Sequence, residues 1–264
     1  FKIVTEFWIL IIDSKKDEAF RLINSISINN EAQLQIINYN QLLAYVYFNE
    51  FEQAKTLYEN MEFSNFLFDS ESALALVKYF QKNKESGVSE SIISKARSAS
   101  NNAYYIQAFK NKLSNGGVSD AIRITPYKQI AEVFFRWSQS SQRGVENIIN
   151  KSFYLSLANF ADPTSSFLKF NLATILNDSG NYELSREILD NFSNDDVFFM
   201  DSIVENSFAI EQLDSNESAL EYIQQFIIDG YANARLLKTY GSLQRSMSLF
   251  QEAIKSYTCL LYTS

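Results

Sequence analysis

Apolar positions along this chain come in short bursts of helical spacing, separated by polar turns. Phe167, Phe170, Leu172, Ala173 and Leu176 form one burst. Asn177-Asp178-Ser179-Gly180 follows, and then Tyr182, Ser185, Ile188, Leu189 and Phe192 share a second stripe. This pattern predicts two helices facing one another across a turn. Gly180 suits left-handed backbone at the turn, and Asp162-Pro163 is expected to open the first helix, with Asp162 as its N-cap. The same pattern predicts a unit from about Met200 to Ile228 turning at Asp214-Ser215-Asn216, and another from Tyr231 onward turning near Ser248. Upstream, a helix from Tyr127 to about Gln139 pairs with one ending at Ala158-Asn159-Phe160-Ala161-Asp162, across the polar turn Ser138 to Gly144.

The units keep a common register. Ser185, Ala219 and Ala253 recur at a step of 34 residues, and so do Ala173, Ser207 and Gly241. Larger residues hold the same step: Leu176 with Ile210, and Leu189 with Ile223 and Tyr257. Small residues at a fixed period mark places where two helix backbones approach closely, because a large side chain there would push the pair apart.

A period of 34 residues with small residues at the helix crossings resembles the tetratricopeptide repeat. The match is closest over residues 127–258, and the N-terminal half is similar to divergent members of the same superfamily found in large bacterial repeat proteins. It departs from the family at Lys151 and Ser185, where alanine is usual, and at Asn206 and Asn216, where large apolar residues are preferred. The resemblance implies an all-α fold, an α-solenoid or superhelix of stacked helix-turn-helix units. It also implies a noncatalytic scaffold or adaptor that holds a protein or peptide in a concave groove lined by the first helix of each repeat. The alternative is that the array is the substrate-holding arm of a larger enzyme whose catalytic domain lies outside this sequence.

The N-terminal half is looser. Ala19 and Ala54, 35 apart, take the small-residue role, with Asp17-Glu18-Ala19 and Phe51-Glu52-Gln53-Ala54 opening second helices. Between about Lys82 and Pro126 the pattern degrades at Lys82 to Gly87, Ser114-Asn115-Gly116-Gly117 and Thr125-Pro126, which predicts short helices and a junction. The expected division is divergent repeats over 1–113, an irregular junction over 114–126, and a regular array over 127–258. The terminal hexamer 259–264, CLLYTS, reads as translated sequencing-adapter sequence, so the natural chain is expected to be interrupted after Thr258. That cut is expected to leave the last helix unpaired and to expose Tyr240, Leu243 and Leu249.

Composition narrows the chemistry. Histidine is absent and cysteine occurs once, at Cys259, which excludes imidazole-dependent triads and cysteine-built metal sites or disulfides within this sequence. No glycine-rich phosphate loop or dinucleotide fingerprint occurs, and neither a cofactor nor a metal is expected. A net charge of −8 argues against a nucleic-acid partner held by a global basic field. The longest apolar run, Phe7 to Ile12, falls far short of the roughly 20 residues of a membrane span. The compartment, bacterial cytoplasm or periplasm, is left open by the cysteine usage. Glu217 and Glu221 share a helix face and read as a solvated surface, and Asn194-Asp195-Asp196 is expected to cap the helix that follows.

Two stretches are candidates for partner contact. In the N-terminal units, Phe1, Val4, Trp8 and Ile11, then Ile36, Tyr39, Leu43, Val46 and Tyr47, either face the concave side or, one residue out of register, form core between repeats. Phe135, Phe170, Val204 and Phe208 would extend such a groove toward the C-terminus. In the last first-helix, Arg235, Lys238, Ser242 and Arg245 share one helical face, while the preceding unit presents Asp201 and Glu211 there. A basic stripe of this kind suits an acidic peptide segment or a chain-terminal carboxylate; the other reading is a solvated, solubilising face.

Overall fold

A computed structural model describes residues 2–61, 70–98, 122–140 and 145–263. These form fourteen α-helices and, among the described residues, no strand. In chain order they are α1 (Lys2–Ile12), α2 (Lys16–Asn24), α3 (Glu31–Tyr47), α4 (Phe51–Glu59), α5 (Ser70–Lys82), α6 (Ser86–Ser98) and α7 (Pro126–Ser140). There follow α8 (Val145–Ala161), α9 (Ser166–Asp178), α10 (Tyr182–Leu189), α11 (Phe199–Leu213), α12 (Asn216–Ile228), α13 (Ala234–Ser246) and α14 (Phe250–Thr263). The chain divides into two compact units, Phe1–Val133 and Phe134–Ser264. The junction expected at 114–126 lies, up to residue 121, outside the described residues, as does the part of the Ser138–Gly144 turn from 141 onward.

Most helix pairs are closed by one recurring turn. After α1, Ser14 takes φ 62° while its N–H bonds the Ile11 carbonyl at 3.1 Å and the Lys15 N–H reaches back to the Leu10 carbonyl at 2.8 Å. Asn49 and Lys84 repeat that arrangement after α3 and α5, and Gly180 and Ser248 repeat it after α9 and α13. The left-handed residue turns the chain and the paired bonds satisfy carbonyls the helix end leaves open. The pair α11–α12 differs: Asp214 stays at φ −115°, and Ser215 caps α12 by accepting from the Ser218 N–H at 3.1 Å.

Five residues beyond each turn residue lies the small residue of the crossing. Ala19, Ala54, Ser89, Ser185, Ala219 and Ala253 are all buried. Two of them carry a hydroxyl, which donates into the partner helix: Ser185 Oγ to the Ala173 carbonyl at 2.8 Å and Ser89 Oγ to the Val77 carbonyl at 3.3 Å. Gly241 shows how tightly the last pair fits, because a Cβ built there would lie 2.8 Å from Cε1 of Tyr257. Tyr257 occupies the place of Leu189 and Ile223, and the glycine opposite makes room for its ring.

Successive pairs pack edge to edge. Within Phe1–Val133, α3 touches α5; within Phe134–Ser264, α9 touches α11 and α11 touches α13, and α8, α10 and α12 each pack against the first helix that follows them. This packing of neighbouring helices fits a repeat. Between α11, α12 and α13 the core is Ile203, Ile210, Ala219, Ile223, Leu236 and Leu243. Burying a side chain such as Ile223 contributes about 1.5–3 kcal/mol.

Four expectations are corrected. The α9 cap is Ser165, which accepts from the Leu168 N–H at 3.3 Å, and Asp162 instead closes a local turn with Thr164. Asn194-Asp195-Asp196 does not cap α11; Phe198 stands at that position with no side-chain bond, and its ring is buried in the aromatic core. Ser86-Gly87 does not break the pattern but begins α6, which pairs with α5 in full register. Leu243 is buried between α11 and α13, not exposed, because its own pair already covers it.

Candidate partner-binding surface

The N-terminal aromatic set separates on folding. Trp8, Tyr39 and Leu43 are buried, so they pack within the core and offer a partner no surface. The Trp8 indole N–H donates to Asn40 Oδ1 at 2.7 Å, and the ring meets Phe7 edge-on at 5.3 Å. The groove reading fails for these three, and the inter-repeat core describes them. Tyr47, one step further along α3, is exposed and touches Phe48. Phe1 lies outside the described residues.

The aromatic set of the C-terminal unit behaves the same way. Phe135 meets Phe167 edge-on at 4.9 Å, and Phe170 stacks on Phe198 at 5.1 Å, both sealed in the core. Phe198 fills the space in which Phe170 would have faced solvent. Val204 is half-buried against the α11–α13 core, and Phe208 alone of this set is exposed, its edge against Tyr182.

The basic stripe is divided by ion pairing. Arg235 is held by Asp201, with Glu205 at 3.8 Å, so the cation bridges α13 to α11. Asp201 stands at the equivalent position one repeat earlier, and the stripe is thereby stitched to the acidic residues of its neighbour. Ser242 Oγ lies 3.2 Å from the Tyr257 hydroxyl, while Lys238 and Arg245 are exposed. Burial pushes the Glu205 carboxyl above the ordinary carboxylate range and Asp178 adds to this, against the pull of the Asn177 side-chain amide. Asn177 Nδ2 also donates to the Glu205 carbonyl at 3.0 Å, a bond between the first helices α9 and α11. Next to it, Asn206 Nδ2 donates to Asp190 at 2.6 Å and to the Tyr222 hydroxyl at 3.0 Å. Asn206, where a large apolar residue was expected, thus builds polar links instead.

A surface that the sequence reading passed over lies on α8. Ile149, Phe153 and Phe160 are all exposed, and with Ser156 they fall at i, i+4, i+11 and i+7 of a single helical face. The spacing was available in the sequence. It was hidden because α8 carries apolar residues on the opposite face too, where Leu155 and Ala158 are buried. A helix apolar on both sides reads as core. In Phe1–Val133, a polar groove of about 550 Å³ is lined by Asn24, Gln41, Tyr45, Gln53 and Asn60 among others, with Gln41 Nε2 bonded to Asn24 at 2.7 Å.

Among the described residues no group of acidic, histidine or cysteine side chains is arranged to hold a metal ion, and no helix is long and apolar enough to cross a membrane. The sequence matches no protein-family model and no curated protein.

Proposed function

We propose that this chain is a tetratricopeptide-like α-solenoid that works as a noncatalytic scaffold for protein partners. The observation that carries this reading is the contrast between what repeats and what does not. At a step of 34 residues the buried positions keep their character: Leu155, Leu189 and Ile223 are equivalent and all buried. The solvent-facing positions of the same helices do not: α8 carries Ile149 and Phe153 where α10 carries Glu183 and Glu187 and α12 carries Glu217 and Glu221. A constant frame with a variable surface is how repeat arrays present binding sites. On α13, Lys238 and Arg245 remain to meet an acidic segment, since Arg235 is already engaged by Asp201.

Two measurements test the reading. Small-angle scattering should give a radius of gyration well above the roughly 18 Å of a globular chain of this length, and a value near 18 Å would remove the solenoid. Peptides selected on the immobilised chain should lose affinity when exposed rows are substituted, with the melting temperature unchanged. Recovery of no peptide, together with turnover by the chain itself, would remove the scaffold.

A further inference from the structure

The outward row of α8 has internal controls in the sister helices. At the same repeat positions α10 and the segment after it carry Glu183, Glu187, Asp190 and Asn194, and α12 carries Glu217, Glu221, Gln224 and Ile228, all exposed. Water covers these rows readily apart from the single apolar residue Ile228. On α8 the corresponding residues are Ile149, Phe153, Ser156 and Phe160, and the three apolar ones are 65%, 57% and 86% exposed. A Phe side chain brings about 150–250 Å² of surface, so the row offers a few hundred Å² of contiguous apolar area, the size at which a patch on a soluble chain marks an interaction site.

The shape of the row favours a helix as its occupant. Ile149, Phe153, Ser156 and Phe160 follow one another at steps of four, three and four residues, the spacing of a coiled-coil seam. The Ser156 hydroxyl donates to the Ser152 carbonyl at 2.8 Å, so it is satisfied by its own helix and asks nothing polar of a visitor. An apposed helix meets a seam of this spacing with large apolar side chains of its own.

Charge decides between a second copy and a different partner. The equivalent row of the next helix pair, on α10, is acidic, and the chain as a whole carries −8. A second copy would bring net negative charge toward its own kind, whereas cations flanking the apolar stripe of a partner would be drawn by carboxylates such as Glu183 and Glu187. We infer that the α8 row docks an amphipathic helix of a partner protein, apolar on one stripe and flanked by lysine or arginine. The assignment rests on the scaffold reading and adds the partner's chemistry to it.

The probe is a fluorescein-labelled peptide of about 18 residues, five helical turns, with leucine on one stripe and lysine elsewhere. Its counterpart has glutamate in place of lysine. Fluorescence anisotropy on the full chain should show binding of the lysine peptide, weakening as salt rises from about 50 to 300 mM, and no binding of the glutamate peptide. The Phe153→Ser/Phe160→Ser double variant should lose at least about tenfold in affinity while its circular dichroism stays unchanged. Glu183→Gln/Glu187→Gln should lose less and flatten the salt dependence. Unchanged affinity of the double serine variant would overturn the assignment. So would a concentration-dependent dimer in sedimentation that the same variant abolishes, since the occupant would then be a second copy. Either result, with an elongated scattering profile retained, leaves the scaffold reading standing.

Discussion

The helix pairs of Phe1–Val133 and those of Phe134–Ser264 reach one geometry with different residues. In the first unit the left-handed turn positions are Ser14, Asn49 and Lys84, 35 apart, and in the second Gly180 begins a series that Ser248 continues at twice 34. In both units the small crossing residue follows the turn residue by five positions, from Ser14 to Ala19 and from Gly180 to Ser185. The step from turn to crossing is therefore constant, and the extra residue of the N-terminal period falls between one crossing residue and the next turn. What is conserved physically is the distance from turn to crossing. Glycine is one solution at the turn and not a requirement.

If that distance is the common element, filling the crossing should hurt both units alike. Ala54→Leu and Ala219→Leu are each expected to cost about 3 kcal/mol or more, read by chemical denaturation. A cost below about 1 kcal/mol in either unit would show that its crossing is loose and break the equivalence.

The units should differ most clearly at high pH. Burial lifts the Tyr222 hydroxyl to about 12, against the smaller pull of its bond from Asn206. Tyrosines of the other unit, Tyr45, Tyr58 and Tyr79, are raised in the same direction by burial. A raised folded pKa favours the protonated fold. The stabilisation is complete below the unfolded value near 10 and is lost as pH climbs from there toward 12. For Tyr222 this amounts to about 2–3 kcal/mol, and Tyr222→Phe should flatten that part of the alkaline melting profile. An unchanged profile would place the loss at the other tyrosines raised by burial, Tyr240 of the same unit among them.

Turn substitutions bring smaller effects of opposite sign. Gly180→Ala forces a Cβ into left-handed backbone and should cost about 1–2 kcal/mol. Lys84→Gly relieves the same strain but loosens the unfolded chain by about 0.5–1 kcal/mol. The net gain expected is thus about 0.5–1 kcal/mol, visible as a raised denaturation midpoint. A loss at Lys84 would mean that its side chain contributes more than its backbone costs.

Much of the architecture was readable from the crossings, because close backbone approach admits few residue types and so leaves a visible series. Ala19 and Ala54 were found that way, whereas Ser89, the next member, was obscured by Ser86-Gly87, which looks like a break and instead forms the first turn of α6. Caps were harder. Asp162 and Asn194 to Asp196 have the right chemistry for capping, but packing placed Ser165 and Phe198 at the helix starts. Exposure was the least legible property. Phe170 and Phe208 are the same residue type on neighbouring first helices, and the core cluster over the first, with Phe192 and Phe198, keeps it from solvent while Phe208 is exposed.

The turn bonds also supply a set of local clocks. The N–H groups of Lys15, Glu50, Glu85, Asn181 and Leu249 each bond a carbonyl five residues back and belong to one hairpin apiece. None of them depends on a neighbouring pair for its acceptor. In an array whose pairs open one at a time, the deuterium uptake of these five amides would record the opening of five separate hairpins. A partner helix bound across α8 should then slow Asn181 first, since α9 packs directly on α8, and leave Lys15 at its own rate.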